Sequence, residues 1–385
     1  MEPPLRIAYV ISYFHPLESG AERQALVQGA ELARRGHQVW VLTRHVGHLP
    51  EHEVVQGVRV ERCLRVHDQS RLFVPSFIGQ VASRLRKLRR EIDLVQTHQA
   101  LWEAAGTGLA RPFLGRIPSI VQPASSGRFG EAEELSRQKG RIFLRRLILA
   151  NTHFVAISAD IEAQWRRLGV PASRMTRIAS GVDTSRFRPG PVDPEIEAAL
   201  PPRPRFIFTG RFHPQKNLAM LIEAWSQLVR VVPAYLVLLG WGPDRPALEV
   251  LIEERGLSHW VRILDVVPDP APYLRAADGF VLPSIAEGMS NSLLEAMASG
   301  LPCLVSAIGG NEDLVVEGRT GRLLPPHEPA AWARAVQEIV KNPAEARAAG
   351  EAARTRVCEE FAVERVMDRY EALFRRLIAQ AGRTA

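Results

Sequence analysis

Two glutamates, Glu287 and Glu295, stand eight residues apart in SIAEGMSNSLLEAMASG (284–300), around a Gly- and Ser-rich turn between an apolar strand and a helical pattern. A carboxylate at such a junction either caps a helix or holds a ligand's hydroxyls, because it accepts several hydrogen bonds. Ser292 and Glu295 match the Ser-x-x-Glu capping box, so the purely structural alternative is explicit. A second strand end, FIFTG followed by RFHPQKNL, puts Arg211 and Lys216 five residues apart ahead of a helix. A guanidinium fork and an ammonium at that spacing can clamp two linked phosphates; equally, they can be two solvated surface cations. Gly20 in SYFHPLESGAER, and Asn291 and Ser292 in GMSNS, open helices whose first N–H groups can face an anion. His98 ends the strand DLVQTH, either as a structural hydrogen-bonder or as a group facing a ligand.

Other chemistries are poorly supplied. There is no Walker loop, GWGPDR (240–245) lacks the third glycine of a dinucleotide fingerprint, and no Asp-x-Asp pair offers a magnesium diphosphate site. Phosphate recognition must then rest on Arg, Lys and helix N-termini.

The elements that would position these groups read as alternating strands and helices. Apolar strands are expected at 6–12, 39–43, 58–64, 94–98, 119–123 and 154–158, with helical patterns between most of them. After a Pro-rich stretch at 184–204, which reads as a linker, the alternation restarts with strands at 206–210, 235–240, 261–265, 279–284 and 303–307. A length of 385 residues favours two domains. The expectation is α/β: two doubly wound, Rossmann-like domains facing a central cleft, with ligands at the carboxyl ends of the strands.

Charge is divided unevenly. Through residue 190 there are 28 Lys and Arg against 17 Asp and Glu; beyond it, 21 against 25. A basic front half suggests an anionic partner. Three widely spaced cysteines, Cys63, Cys303 and Cys358, fit a reducing compartment, and Met1 leads directly into a strand without a signal-peptide pattern, so a cytoplasmic protein is expected.

GRFHPQKN together with PSIAEGMSNSLLEAMASGLPCLVSAIGGNEDLVVEGRTGRLLPP resembles the donor half of the retaining glycosyltransferases of family 4, which have the GT-B fold. SGAERQALVQGAELARRGHQVWVLT and ASGVDTSRFRPG are similar to that family's amino-terminal loop and interdomain segment. The resemblance implies an acceptor-side domain over 1–185, a nucleotide-sugar domain over 186–362, and a terminal helix, 363–385, returning to the first domain. It implies that Arg211 and Lys216 neutralise the diphosphate, Glu295 holds the ribose, Glu287 meets the sugar, and His98 touches the sugar. Gly20, Val267, Gly288, Asn291 and Ser292 complete the donor contacts, with Glu287, His98, Arg211 and Lys216 as the catalytic set. It further implies retention of configuration, no metal and no cofactor beyond the donor substrate, and a glycan or lipid-linked acceptor in cell-surface polysaccharide or glycoconjugate synthesis. The sequence departs from the family at Ala179-Ser180, in the loss of a His-rich turn around His98, and in VQPASSGRFGE (121–131), which leaves the acceptor undefined.

Four rivals remain at this level. Glu287 and Glu295 could be the acid and nucleophile of a glycoside hydrolase, which would leave Arg211 and Lys216 idle. A nucleotide-sugar epimerase of the same fold, an inactive nucleotide-sugar-binding protein, and a nucleic-acid module using the basic half are the others; sparse aromatic residues among the basic stretches speak against nucleic acid. RLRKLRR (84–90) and RQKGRIFLRRL (137–147) also suit a helix lying on an anionic membrane, placing the protein peripherally on the inner face of the cell membrane.

Overall fold

The computed structural model describes residues 3–17, 19–66 and 72–383. The chain forms two compact units, residues 1–181 with 363–385, and residues 182–362. Both are sheets layered with helices, parallel except for the strand His52–Val55 at one edge of the first.

The first sheet contains β1 (Arg6–Val10), β2 (Gln38–Arg44), β3 (His52–Val55), β4 (Val58–Leu64), β5 (Leu94–His98), β6 (Ser119–Gln122), β7 (His153–Ala156) and β8 (Met175–Arg177). Their order is β3-β4-β2-β1-β5-β6-β7-β8. β5 is buried at every position and β1 at all but its first, as strands with both faces covered must be. One face meets the helices Gly20–Arg34 and Val363–Arg383, which bury Leu32, Val366, Tyr370 and Phe374. The other is covered by Phe73–Leu88 and Trp102–Leu114, through Phe77, Leu85 and Leu114. β3 pairs antiparallel with β4 through a two-residue turn in which Gln56 and Gly57 have φ of 49° and 83°. That left-handed pair matches the twist of a tight hairpin. Gln-Gly is a weaker signal than Asn-Gly, which is why β3 is not anticipated from sequence.

The second sheet contains β9 (Arg205–Thr209), β10 (Tyr235–Leu239), β11 (Val261–Leu264), β12 (Gly279–Leu282), β13 (Cys303–Ser306) and β14 (Arg322–Leu324), in the order β11-β10-β9-β12-β13-β14. The expected linker at 184–204 is a correction: it belongs to this unit and contains the helix Pro194–Ala199. Asp193 caps it by accepting from Glu195 N at 2.9 Å, and Pro194 suits its first turn. Arg205 then pairs with Glu197 and tacks the segment to β9.

Each sheet reverses its strand order once: between β1 and β5, and between β9 and β12. Loops leaving adjacent strands in opposite directions part at such points and open a crevice beyond the strand ends.

Candidate functional site

In the second unit, the loops after β9 and β12 meet at the reversal point. Ile285 N donates to Gln215 O at 2.9 Å, and Gln215 Nε2 to Ala286 O at 2.7 Å. Asn217 ends the short turn Pro214–Lys216 at φ 54°, and its amide donates to Pro326 O at 2.7 Å. Held this way, Lys216 Nζ lies 2.5 Å from Glu287 Oε1, to which Ser284 Oγ also donates at 2.6 Å. Glu287 is 6% exposed. Its desolvation is offset by a charge and a hydroxyl on one oxygen.

Arg211 leaves the same loop but is exposed, and among the described residues it makes no ion pair. It is thus an available cation beside a paired one. A Cβ at Gly242 would lie 2.0 Å from Phe212 O, so that glycine exists to let the loops after β9 and β10 touch. Gly310 serves likewise, with Gly288 O at 2.1 Å from its would-be Cβ, and Gly310 N donates to Glu287 O at 3.3 Å.

The helix carrying Glu295 is Asn291–Ala298. Its cap is Ser290, whose Oγ accepts from Leu293 N at 3.3 Å; Ser292 lies inside the helix, so the Ser292–Glu295 capping box does not form. Glu295, a turn further in, is 4% exposed. Asn291 and Ser292 are half-buried at the helix start and Gly288 is buried just before it. Val267 is half-buried in the loop after β11.

Gly20 and His98 belong to the first unit. Gly20 is the exposed first residue of its helix, where Ser19 N donates to Glu22 Oε2 at 3.0 Å, so a carboxylate of the chain already sits at that end. His98 is buried, its ring edge-on to Tyr9 at 4.4 Å. Neither ring nitrogen has a hydrogen-bond partner among the described residues, and burial lowers its pKa to about 3. The imidazole is therefore neutral and available to donate or accept. Gln99, next in the chain, has φ 96°, an uncommon value for a residue with a side chain.

Sequence reasoning missed two buried carboxyls here. Glu103 bonds Ser12 Oγ across the β1/β5 reversal, and burial raises its pKa to about 7. Glu131 accepts from Ala100 N at 3.2 Å, Ala124 N at 3.1 Å and Ser125 N at 3.0 Å, tying the loops after β5 and β6 together. Their one signal was position, since each lies shortly after a strand.

Comparisons with known proteins bear on the family and the fold. Residues 203–342 match the glycosyl transferases group 1 and residues 19–186 match glycosyltransferase family 4. A D-inositol 3-phosphate glycosyltransferase of Nocardia farcinica is 30% identical over 376 residues, spanning 88% of this chain and 82% of that protein. Another, from Rhodococcus opacus, is 30% identical over 404 residues, spanning 95% and 89%. Sucrose-phosphate synthase of Thermosynechococcus elongatus superposes with a TM-score of 0.85 at 25% identity, over 98% of this chain and 100% of that one. An Anabaena protein, HepE, solved with UDP-glucose, superposes at 0.77 with 19% identity over 96% and 99%, a likeness of fold. The two Rossmann-like units are those of a GT-B protein.

Proposed function

Since the chain belongs to glycosyltransferase family 4, we propose that it moves a sugar from a nucleoside-diphosphate sugar to a hydroxyl of a glycan or lipid-linked acceptor, with retention of configuration and without a metal ion. The Lys216–Glu287 pair at the β9/β12 reversal carries this reading. A sugar diphosphate presents an anion joined to a polyol, and an ammonium beside a carboxylate complements that junction. As the glycosidic bond lengthens, charge grows on the leaving diphosphate, where Lys216, Arg211 and the amides of Asn291 and Ser292 stabilise it. Glu287 accepts hydroxyls of the sugar near the reacting carbon, and Glu295 accepts the vicinal hydroxyls of the ribose. The leaving diphosphate takes the acceptor's proton on the same face. Neutral His98 serves as a hydrogen-bonding contact for the sugar, not as a cationic acid.

Two relatives are named for D-inositol 3-phosphate, which makes a phosphorylated polyol the second acceptor class to test. Purified protein incubated with UDP-, GDP- and ADP-sugars and both acceptor classes should yield a glycoside whose anomeric proton couples as in the donor. An inverted anomer sinks retention; activity abolished by EDTA and restored by magnesium sinks metal independence. Donor conversion without acceptor would make the protein an epimerase.

No helix among the described residues is long and apolar enough to cross a membrane. The helix Arg141–Leu149 exposes Ile142 (68%) and Phe143 (61%) beside exposed Arg141, Arg145 and Arg146. Such a face suits peripheral docking on an anionic bilayer, at about 1 kcal/mol per basic residue near the surface. Co-sedimentation at low salt should favour anionic over neutral vesicles and weaken on reversing Arg145 and Arg146. Equal partition into both vesicle types would discard the idea.

A further inference from the structure

A second basic site lies in the first unit, on its outermost strand, apart from the strand ends described above. The strand β8 and the helix Val363–Arg383 enclose a groove whose floor is Met175, Ile178, Leu373 and Leu377. Arg177, Arg369 and Arg376 rim it. Thr176 joins the two sides: its Oγ1 lies 2.8 Å from His153 Nε2 and accepts from Arg376 Nη2 at 3.3 Å.

The charges on this helix are sorted by face. Its carboxylates are used on the side towards the first helix of the unit, where Asp368 and Glu371 meet Arg35 at 2.8 and 3.3 Å and Glu371 also holds Arg375 at 2.8 Å. On the groove side, Arg369 and Arg376 are exposed, and among the described residues neither makes an ion pair. Arg174, just before β8, donates to Leu149 O at 2.9 Å and likewise has no carboxylate partner among the described residues. Buried His153 feels this field: burial, then Arg376 and Arg174, lower its pKa to about 4, so it adds hydrogen-bonding capacity without a competing charge.

We propose that the groove between β8 and the carboxyl-terminal helix binds a phosphate-type anion, a phosphomonoester or diphosphate group, in the forks of Arg369 and Arg376 with Arg177 beside them. Guanidinium forks bind phosphate oxygens in pairs, and Arg369 and Arg376, which make no ion pair among the described residues, gain a partner there. The apolar floor also accommodates an anion attached to an apolar body. The phosphate can therefore come from solution or from a lipid headgroup.

Methyl NMR on the full chain reads the groove directly through Met175, Ile178, Leu373, Leu377 and Thr176. The double variant Arg211→Ala/Lys216→Ala is the background, so that pyrophosphate at the proposed donor site does not confuse the titration. Inorganic pyrophosphate at low salt should move these methyls saturably, and vesicles containing phosphatidic acid should broaden them where phosphatidylcholine vesicles do not. Either probe acting at the groove supports the site and identifies the source of the phosphate. Adding Arg369→Gln and Arg376→Gln, which keep the side chains polar, should weaken the response at least about tenfold, the scale of losing one charge-assisted contact. The site is overturned if neither probe moves the groove methyls, or if the Gln variants respond as strongly as their parent.

Discussion

The two strand-order reversals carry different chemistry on the same architecture. Between β9 and β12 the contact is ionic: Lys216 Nζ and Glu287 Oε1 at 2.5 Å, with exposed Arg211 on the same loop. Between β1 and β5 it is buried and close to neutral: Ser12 against Glu103, and Tyr9 against His98. Burial holds Glu103 near pH 7 and keeps His98 uncharged. Fixed charge suits a ligand that always brings a diphosphate. A neutral, hydroxyl-bearing partner is better met by hydrogen-bonding groups that do not carry a full charge into a dry site.

The largest effects should come from the ionic side. Lys216→Ala should lower kcat/KM about 100-fold or more, the scale of removing one donor to developing charge. It should also lower thermal stability, because Glu287 stays buried without its cation. Arg211→Ala should cost similar activity with unchanged stability, since Arg211 is exposed. Unaltered steady-state kinetics in both folded variants would erase the contrast between the two reversals.

On the neutral side the readout is stability against pH. The Glu103 carboxyl has its pKa raised from 4.5 to about 7, so across that window the folded state keeps a proton that the unfolded chain has lost. Stability must then fall as pH rises from 4.5 towards 7 and stay lower above it. Glu103→Gln should abolish that decline and gain on the order of 3 kcal/mol at pH 8, with little change at pH 4. Parallel denaturation curves for wild type and variant at both pH values would mean that Glu103 is ionised and the reversal is charged after all.

A smaller effect separates the two glutamates of the ionic side. Glu295→Gln should weaken free nucleoside diphosphate about tenfold by calorimetry, roughly one charge-assisted hydrogen bond. Glu287→Gln should spare that binding and damage transfer. Nucleotide binding unaffected by Glu295→Gln would leave that residue a buried structural group.

Sequence alone determined the α/β class, because strands covered on both faces must be apolar throughout, and this periodicity is local. It also singled out Arg211, Lys216, Glu287 and Glu295, whose types and place after strands are visible without coordinates. The three-residue strands β8 and β14 carry too few residues for a period to register. Tertiary structure decided what those side chains face. Lys216 meets Glu287 across 71 positions, and Ser12 meets Glu103 across 91, by strand adjacency that no local pattern encodes. It also moved the helix cap from Ser292 to Ser290, a shift within the scatter of any sequence-read boundary. Above all it set protonation: Glu103 and His98 depart from ordinary values through burial, and burial is a property of the packed layers around a residue, not of its neighbours in the chain.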